Sequence, residues 1–177
     1  NKKIIVSIGR LTKQKNFSLL LNCFASIKKK HNEYHLLILG SGEEESVLKK
    51  IIQDLGISNS VDLLGFKENP YKYLNKAECF ILSSLWEDPG FVLLEAAYLN
   101  IPIIASNCPN GPAEILQNSS GGFLFKNNNK NELIQAFESF YKSSKIDLKI
   151  KKIKVKKYSK KFTKFGHFKN IQKIIEV

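Results

Sequence analysis

Methionine is absent from this 177-residue chain, arginine occurs once, and cysteine occurs three times. Without methionine the opening Asn-Lys-Lys carries no initiator, so the chain is expected to be part of a longer one. The cysteines, Cys23, Cys79 and Cys108, are odd in number, lie far apart and form no Cys-x-x-Cys pair. That excludes a disulfide framework or a zinc knuckle and points to reduced thiols. No apolar run approaches the roughly 18 residues of a membrane span, and the short "IIVSIG" has neither the length nor the flank of a signal peptide. A cytoplasmic protein is expected.

What is present is one domain's worth of ordinary globular composition, 43% hydrophobic and 25% charged. A chain of this length can bury roughly 70% of its unfolded surface. The net charge of +12 resembles that of a nucleic-acid binder, but it is unevenly placed: residues 142–177 hold 13 lysines against Asp147 and Glu176. The remainder is close to neutral. Of the 28 basic residues only Arg10 is arginine, so the guanidinium fork itself is expected to be needed there.

Short apolar runs alternate with helical patterns. Strands are expected at Lys3–Gly9, His35–Gly40, Ser60–Phe66, Glu78–Ser84, Ile101–Ser106 and Gly121–Phe125. Helices are expected at Asn16–Lys30, Glu43–Leu55, Pro70–Lys76, Phe91–Leu99, Pro112–Gln117 and Lys130–Lys145. This alternation predicts an α/β, Rossmann-like parallel sheet with helices on both faces. Residues 1–145 would form that domain and residues 146–177 a set of closing basic helices. In the tail, Ile146, Ile150, Ile153, Tyr158, Phe162, Phe165, Phe168, Ile171 and Ile175 recur at helical spacing and are expected to lay one apolar stripe on the domain rather than on a membrane.

In such sheets ligands bind at the carboxyl ends of the strands, so the loops there carry the candidates. "GRLTKQKN" offers Gly9 for a tight turn, Arg10 for bidentate phosphate recognition and Lys15 as a point charge, against the reading of a plain strand-end turn. "GSGEEES" lacks the third small residue of a dinucleotide fingerprint, because position 45 is Glu45. Its carboxylates fit a helix N-terminus, with Ser41 or Gly42 near the cap. In "GFKENPYKYL", Phe66 and Lys67 can meet a flat base, although Phe66 reads equally well as core.

The most informative stretch is "WEDPGFVLLEA", with Glu87 and Glu95 eight apart. They could be a metal site, an acid/base pair, helix-surface charges or two ends of a clamp. Asp88-Pro89 reads as a helix start, with Asp88 capping free amides. The amides of Gly90, Phe91 and Val92 then form an anion site. Glu87 and Glu95 cannot share one helical face, and nothing nearby completes a ligand set, so no metal is expected. Two carboxylates bracketing an amide row can instead grip hydroxyl, phosphate and hydroxyl, the layout of a nucleotide sugar.

These segments resemble, in order, the donor-binding C-terminal half of the retaining glycosyltransferases of family 4 (glycosyl transferases group 1), enzymes of the GT-B fold. The resemblance rests on "GRLTKQKNF", "LLILGSGEEE", "VDLLGFKENPYKYL", "SLWEDPGFVLLEAA", "IPIIASNCPNGPAEIL" and "GGFLF". It implies that Arg10 and Lys15 hold the donor diphosphate and stabilise the leaving group. It also implies that Glu95 binds the ribose hydroxyls, that Glu87 lies on or near the transferred sugar, and that no cofactor or metal is required. Pro89 departs from the aromatic or aliphatic residue common there. The wording of "WEDPGFVLLEAA" and "CPNGP" is similar to members that build lipopolysaccharide, capsule and other surface glycans. The family's acceptor-binding N-terminal domain is missing from this chain and would be its partner, so the chain alone is expected to bind nucleotide sugar without turnover. The tail resembles the closing helices that pass back toward that domain, which would leave part of its stripe exposed. Peripheral contact with the cytoplasmic membrane face stays open. The competing readings are a basic module docking on nucleic acid or anionic membrane, and an epimerase or phosphorylase of the same fold; no nucleic-acid signature is present.

Overall fold

The computed structural model describes residues 2–88 and 90–163. Strands β1 (Lys3–Ile8), β2 (Tyr34–Leu39), β3 (Val61–Leu63), β4 (Ala77–Leu82), β5 (Ile103–Asn107) and β6 (Phe123–Lys126) form one sheet in the order β3-β2-β1-β4-β5-β6. Every neighbouring pair is parallel. The helices are α1 (Phe17–Lys30), α2 (Glu45–Asp54), α3 (Tyr71–Leu74), α4 (Phe91–Tyr98), α5 (Pro112–Ile115), α6 (Lys130–Lys142) and α7 (Lys145–Ser159). The expected Rossmann-like class is the one observed.

The strands are apolar along their length because both faces are covered. Ile5, Ile81 and Ile104 point to a core shared with Leu20, Phe24, Leu48 and Phe137, from α1, α2 and α6. Val6, Phe80 and Ile103 point the other way, onto Leu93, Ala97, Ile115 and Val155 from α4, α5 and α7. All three cysteines are buried free thiols. No described helix is long and apolar enough to cross a membrane.

Chain order reverses between β1 and β4, the strands that begin the two halves of the sheet. Loops leaving two such strands run in opposite directions and open a crevice at the carboxyl edge. This is what positions the site.

Four local expectations need correction. β3 stops at Leu63 rather than Phe66, because Gly65 takes a left-handed φ of 70° and its carbonyl accepts from the Gly40 amide at 2.9 Å. Phe66 is thereby turned out, 72% exposed, and is not core. Second, α2 starts after Glu44, so neither Ser41 nor Gly42 caps it. Gly42 instead lies against the Leu11 backbone, where an added Cβ would be 2.4 Å from the Leu11 carbonyl oxygen. Third, α4 starts after Gly90, at a left-handed φ of 80°, so Asp88 is not its cap; Pro89 lies outside the described residues.

The fourth correction concerns the tail. The predicted helix Lys130–Lys145 ends at Lys142, since Ser143 and Ser144 are extended and the Ser144 side chain accepts from the Asp147 amide to start α7. The side of α7 laid on the domain carries Val155 and Ser159, at 1% and 0% exposure, while Ile146, Ile150 and Ile153 face outward at 70%, 46% and 55%. Lys151 takes an inward position, donating from Nζ to the carbonyls of Ser119 at 2.6 Å and Gly122 at 3.0 Å. Gly121 lets Val155 come close, for a Cβ there would be 2.9 Å from that of Val155. Satisfied backbone carbonyls and this close approach fix the rotation of α7, and the isoleucine stripe goes to solvent. Phe165, Phe168, Ile171 and Ile175 lie outside the described residues.

Candidate functional site

A cleft of about 440 Å³ opens at the carboxyl ends of β1 and β4, and every predicted site residue lines it: Gly9, Arg10, Lys15, Phe66, Lys67, Glu87, Gly90, Phe91, Val92 and Glu95. Four segments far apart in sequence converge there: the loops after β1, β2 and β3, and the loop after β4 that runs into α4.

The floor is built by glycine. Gly40 has φ of 137°, and a Cβ on it would be 1.9 Å from the Gly9 carbonyl oxygen, so the ends of β1 and β2 can approach only without side chains. Hydrogen bonds from Gly9 N to Leu39 O (3.0 Å), Leu11 N to Ser41 O (2.9 Å) and Glu44 N to Leu11 O (2.9 Å) then stitch the two loops together. Gly40 and Ser41 both line the cleft, a contribution the sequence reading missed by treating "GSG" only as a helix start. The signal was there: a glycine directly after a buried strand.

Lys15 closes a 3₁₀ turn, Lys13–Lys15, and its aliphatic stem lies across Gly9. Its carbonyl accepts from the Ser83 hydroxyl at 2.8 Å, which ties the β1 loop to the end of β4. Leu85 N to Gln14 O (2.8 Å) and Gln14 Nε2 to Trp86 O (2.9 Å) add to that seam. The Lys15 ammonium donates to Glu87 Oε1 at 2.6 Å. Glu87 is 3% exposed and also accepts from the Ser84 hydroxyl. The two glutamates therefore differ sharply in surroundings. Glu87 is buried and bonded to chain groups, whereas the Glu95 carboxyl group has no hydrogen bond or ion pair among the described residues and its pKa is pushed up by desolvation.

Arg10 is exposed on the opposite loop, and its guanidinium has no hydrogen bond or ion pair among the described residues. Between the cations and Glu95 stands the N-terminus of α4. Gly90 is its first flanking residue and offers no side chain, and the Leu93 amide is already given to the Gly90 carbonyl at 2.9 Å. The amides of Phe91 and Val92 have no partner within a helix at that position, so they present partial positive charge to the cleft. Phe91 is 62% exposed and Phe66 72%, two aromatic faces beside polar groups. A lysine held by Glu87, an exposed arginine, amides, an acceptor carboxylate and flat apolar surfaces together match an anionic ligand that also carries hydroxyls and a ring. Among the described residues no group of three or more His, Cys, Asp or Glu side chains is arranged to hold a metal ion.

Comparison with known proteins finds glycosyltransferases. An uncharacterized glycosyltransferase, MJ1059, of Methanocaldococcus jannaschii is 42% identical over 113 residues, 64% of this chain and 28% of that protein. The N-acetylgalactosamine-N,N'-diacetylbacillosaminyl-diphospho-undecaprenol 4-alpha-N-acetylgalactosaminyltransferase of Campylobacter jejuni is 33% identical over 162 residues, 92% of this chain and 43% of that enzyme. The chain thus spans less than half of either relative. The crystal structure of Alr3699/HepE of Anabaena in complex with UDP superposes with a TM-score of 0.84 at 20% identity, over 99% of this chain and 48% of that one, a likeness of fold. The family model described as glycosyl transferases group 1 matches residues 1–161, and with that match covering nearly all of the described residues, the chain belongs to the glycosyl transferases group 1 family.

Proposed function

We propose that the cleft binds the donor of a glycosyl transfer, a sugar carried on a nucleoside diphosphate, and that the protein containing this chain moves the sugar to a glycan or lipid-linked acceptor with retention of anomeric configuration. The observation that carries this reading is the convergence of Arg10, Lys15, the α4 amides and Glu95 on one cleft, because a diphosphate between sugar and nucleoside needs cations and amides flanked by hydroxyl acceptors.

In this reading Arg10 and Lys15 neutralise the diphosphate together with the amides of Phe91 and Val92. Glu95 accepts from the ribose hydroxyls, and Phe66 and Lys67 meet the base. When the bond from the sugar C1 to the phosphate oxygen breaks, its electron pair stays on that oxygen. The acceptor hydroxyl bonds to C1 on the same face, and its proton passes to the departing phosphate. Charge builds on the phosphate throughout, so the Lys15 ammonium held by Glu87 and the fixed α4 amides lower the barrier with little reorganisation, and Arg10 adds its charge from the exposed loop. Glu87 acts chiefly through Lys15, holding the ammonium in place beside the sugar pocket.

The Campylobacter relative, whose name specifies a diphospho-undecaprenol-linked acceptor, supports the reading of a lipid-linked glycan acceptor. Calorimetric titration with UDP, GDP, ADP and their common sugars tests the donor site. Binding of one nucleotide series is expected, weakened at least tenfold in Arg10→Ala and Glu95→Ala. Equal affinity in all three proteins would overturn the assignment.

A further inference from the structure

Helix α7 has two apolar faces. At about 100° per residue, Ile146, Ile150 and Ile153 fall within an arc of about 60°, diametrically opposite Val155. Val155 is buried on the domain, while the isoleucines stand 70%, 46% and 55% exposed. Lys149 and Lys154 flank the isoleucine arc on either side, Lys157 lies within it, and all three are exposed. From Lys145 to Phe162 the chain carries nine lysines and one carboxylate, Asp147. Ordinary surface helices of this kind expose only their polar side, so a second apolar stripe rimmed by ammonium groups calls for a second surface.

We propose that this outward face of α7 docks on an anionic lipid bilayer, with the isoleucines in the acyl boundary and the lysines on the headgroups. Charge decides the occupant. A second copy of the chain would set lysine against lysine across the seam. Nucleic acid would reward the lysines but leave the isoleucines in water. An anionic membrane rewards both, through burial of apolar area and the attraction of each surface lysine to anionic headgroups. The lysines, with four methylenes each, can reach the headgroup level from beside a shallowly inserted stripe. This inference is independent of the donor-site reading, since α7 contributes no residue to that cleft.

Co-sedimentation of the 177-residue chain with vesicles of phosphatidylcholine containing phosphatidylglycerol tests it, with pure phosphatidylcholine as control. Binding is expected to the anionic vesicles alone and to fall with added salt. Ile150→Asp should lower the partition coefficient about tenfold or more, and Lys149→Glu with Lys154→Glu should do likewise, with thermal melting of both variants unchanged because these side chains are exposed. Equal partitioning of wild type and Ile150→Asp would overturn the proposal. So would duplex DNA binding that competes the vesicles away and survives Ile150→Asp, or a self-association by sedimentation velocity that the same substitution abolishes. A vesicle affinity appearing only after removal of residues 164–177 would assign the stripe to that segment instead.

Discussion

The Lys15 ammonium sits 2.6 Å from Glu87 Oε1, with the two side chains 14% and 4% exposed, and the residues stand 72 apart in sequence. One comes from the loop after β1 and the other from the loop after β4, so a single ion pair bridges the mouth of the crevice. Removing one partner from a buried pair strands the other charge, which costs more than the pair contributes. Glu87→Gln and Lys15→Met are each expected to destabilise the chain by about 3 kcal/mol, and the double variant by clearly less than the sum. Urea denaturation of the four proteins measures the coupling. Additivity within about 0.5 kcal/mol would mean that the two side chains do not share a site in solution.

Glu95 gives a pH dependence with a defined sign. Desolvation raises its carboxyl above the ordinary 4.5, so over the window from 4.5 upward the folded chain holds a proton that the unfolded chain has released. The unfolded state then binds fewer protons, and this group's contribution to stability falls as pH rises through the window. Glu95→Gln should flatten that part of the stability curve and raise the melting temperature at neutral pH. If the ribose hydroxyls donate to this carboxylate, the same variant should bind nucleotide about tenfold more weakly. A stabilised variant with unchanged nucleotide affinity would separate the burial of Glu95 from its proposed role.

Two glycines with positive φ make a controlled comparison. Gly56, at φ of 65°, has nothing within 4 Å of an added Cβ, whereas Gly40 would drive one into the Gly9 carbonyl at 1.9 Å. Gly56→Ala should cost about 1 kcal/mol, from backbone strain alone. Gly40→Ala should cost at least about 3 kcal/mol or prevent folding, since backbone must move. Similar denaturation midpoints for the two would show that the loops can spread apart.

The cysteines should be silent until the chain unfolds. Burial pushes the Cys23 thiol up to about 12 and Cys108 to about 11, and raises Cys79 as well. At pH 8 an ordinary thiol is about one quarter thiolate, while one near 11 is ionised about once in a thousand. Reaction with a chromogenic disulfide reagent should be at least about a hundredfold slower than for free cysteine, and all three should react in denaturant. Fast reaction of any one in the native protein would place it at the surface.

Much of this was legible in the sequence because it depends on pattern. Apolar runs bounded by loops placed all six strands, and the order of the loop motifs placed the cleft. What the sequence hid depends on partners. Nothing local shows that Glu87 meets Lys15, or that Gly40 lies on Gly9, because those contacts join loops brought together only by the sheet. The rotation of α7 was hidden for a similar reason. Periodicity locates an apolar stripe without saying which stripe is inward, and Lys151, reaching the carbonyls of Ser119 and Gly122, outcompeted isoleucine for the inner position. Asp88 misled because a residue before a Pro-Gly corner looks like a cap, while the left-handed Gly90 delays the helix beyond it.

Helix α6 begins on Asn129, whose side chain accepts from the Glu132 amide, and α7 on Ser144, which does the same for Asp147; α4 begins on a glycine that has nothing to offer. A first turn left without such an acceptor frays more readily than the rest of its helix. A phosphate placed on the Phe91 and Val92 amides would finish that turn, so donor occupancy and the local melting of α4 become one equilibrium, its opening free energy rising with the logarithm of ligand concentration. Read through amide hydrogen exchange, the donor would then appear as the missing end of a helix, its arrival slowing exchange at the start of α4 while leaving α6 untouched.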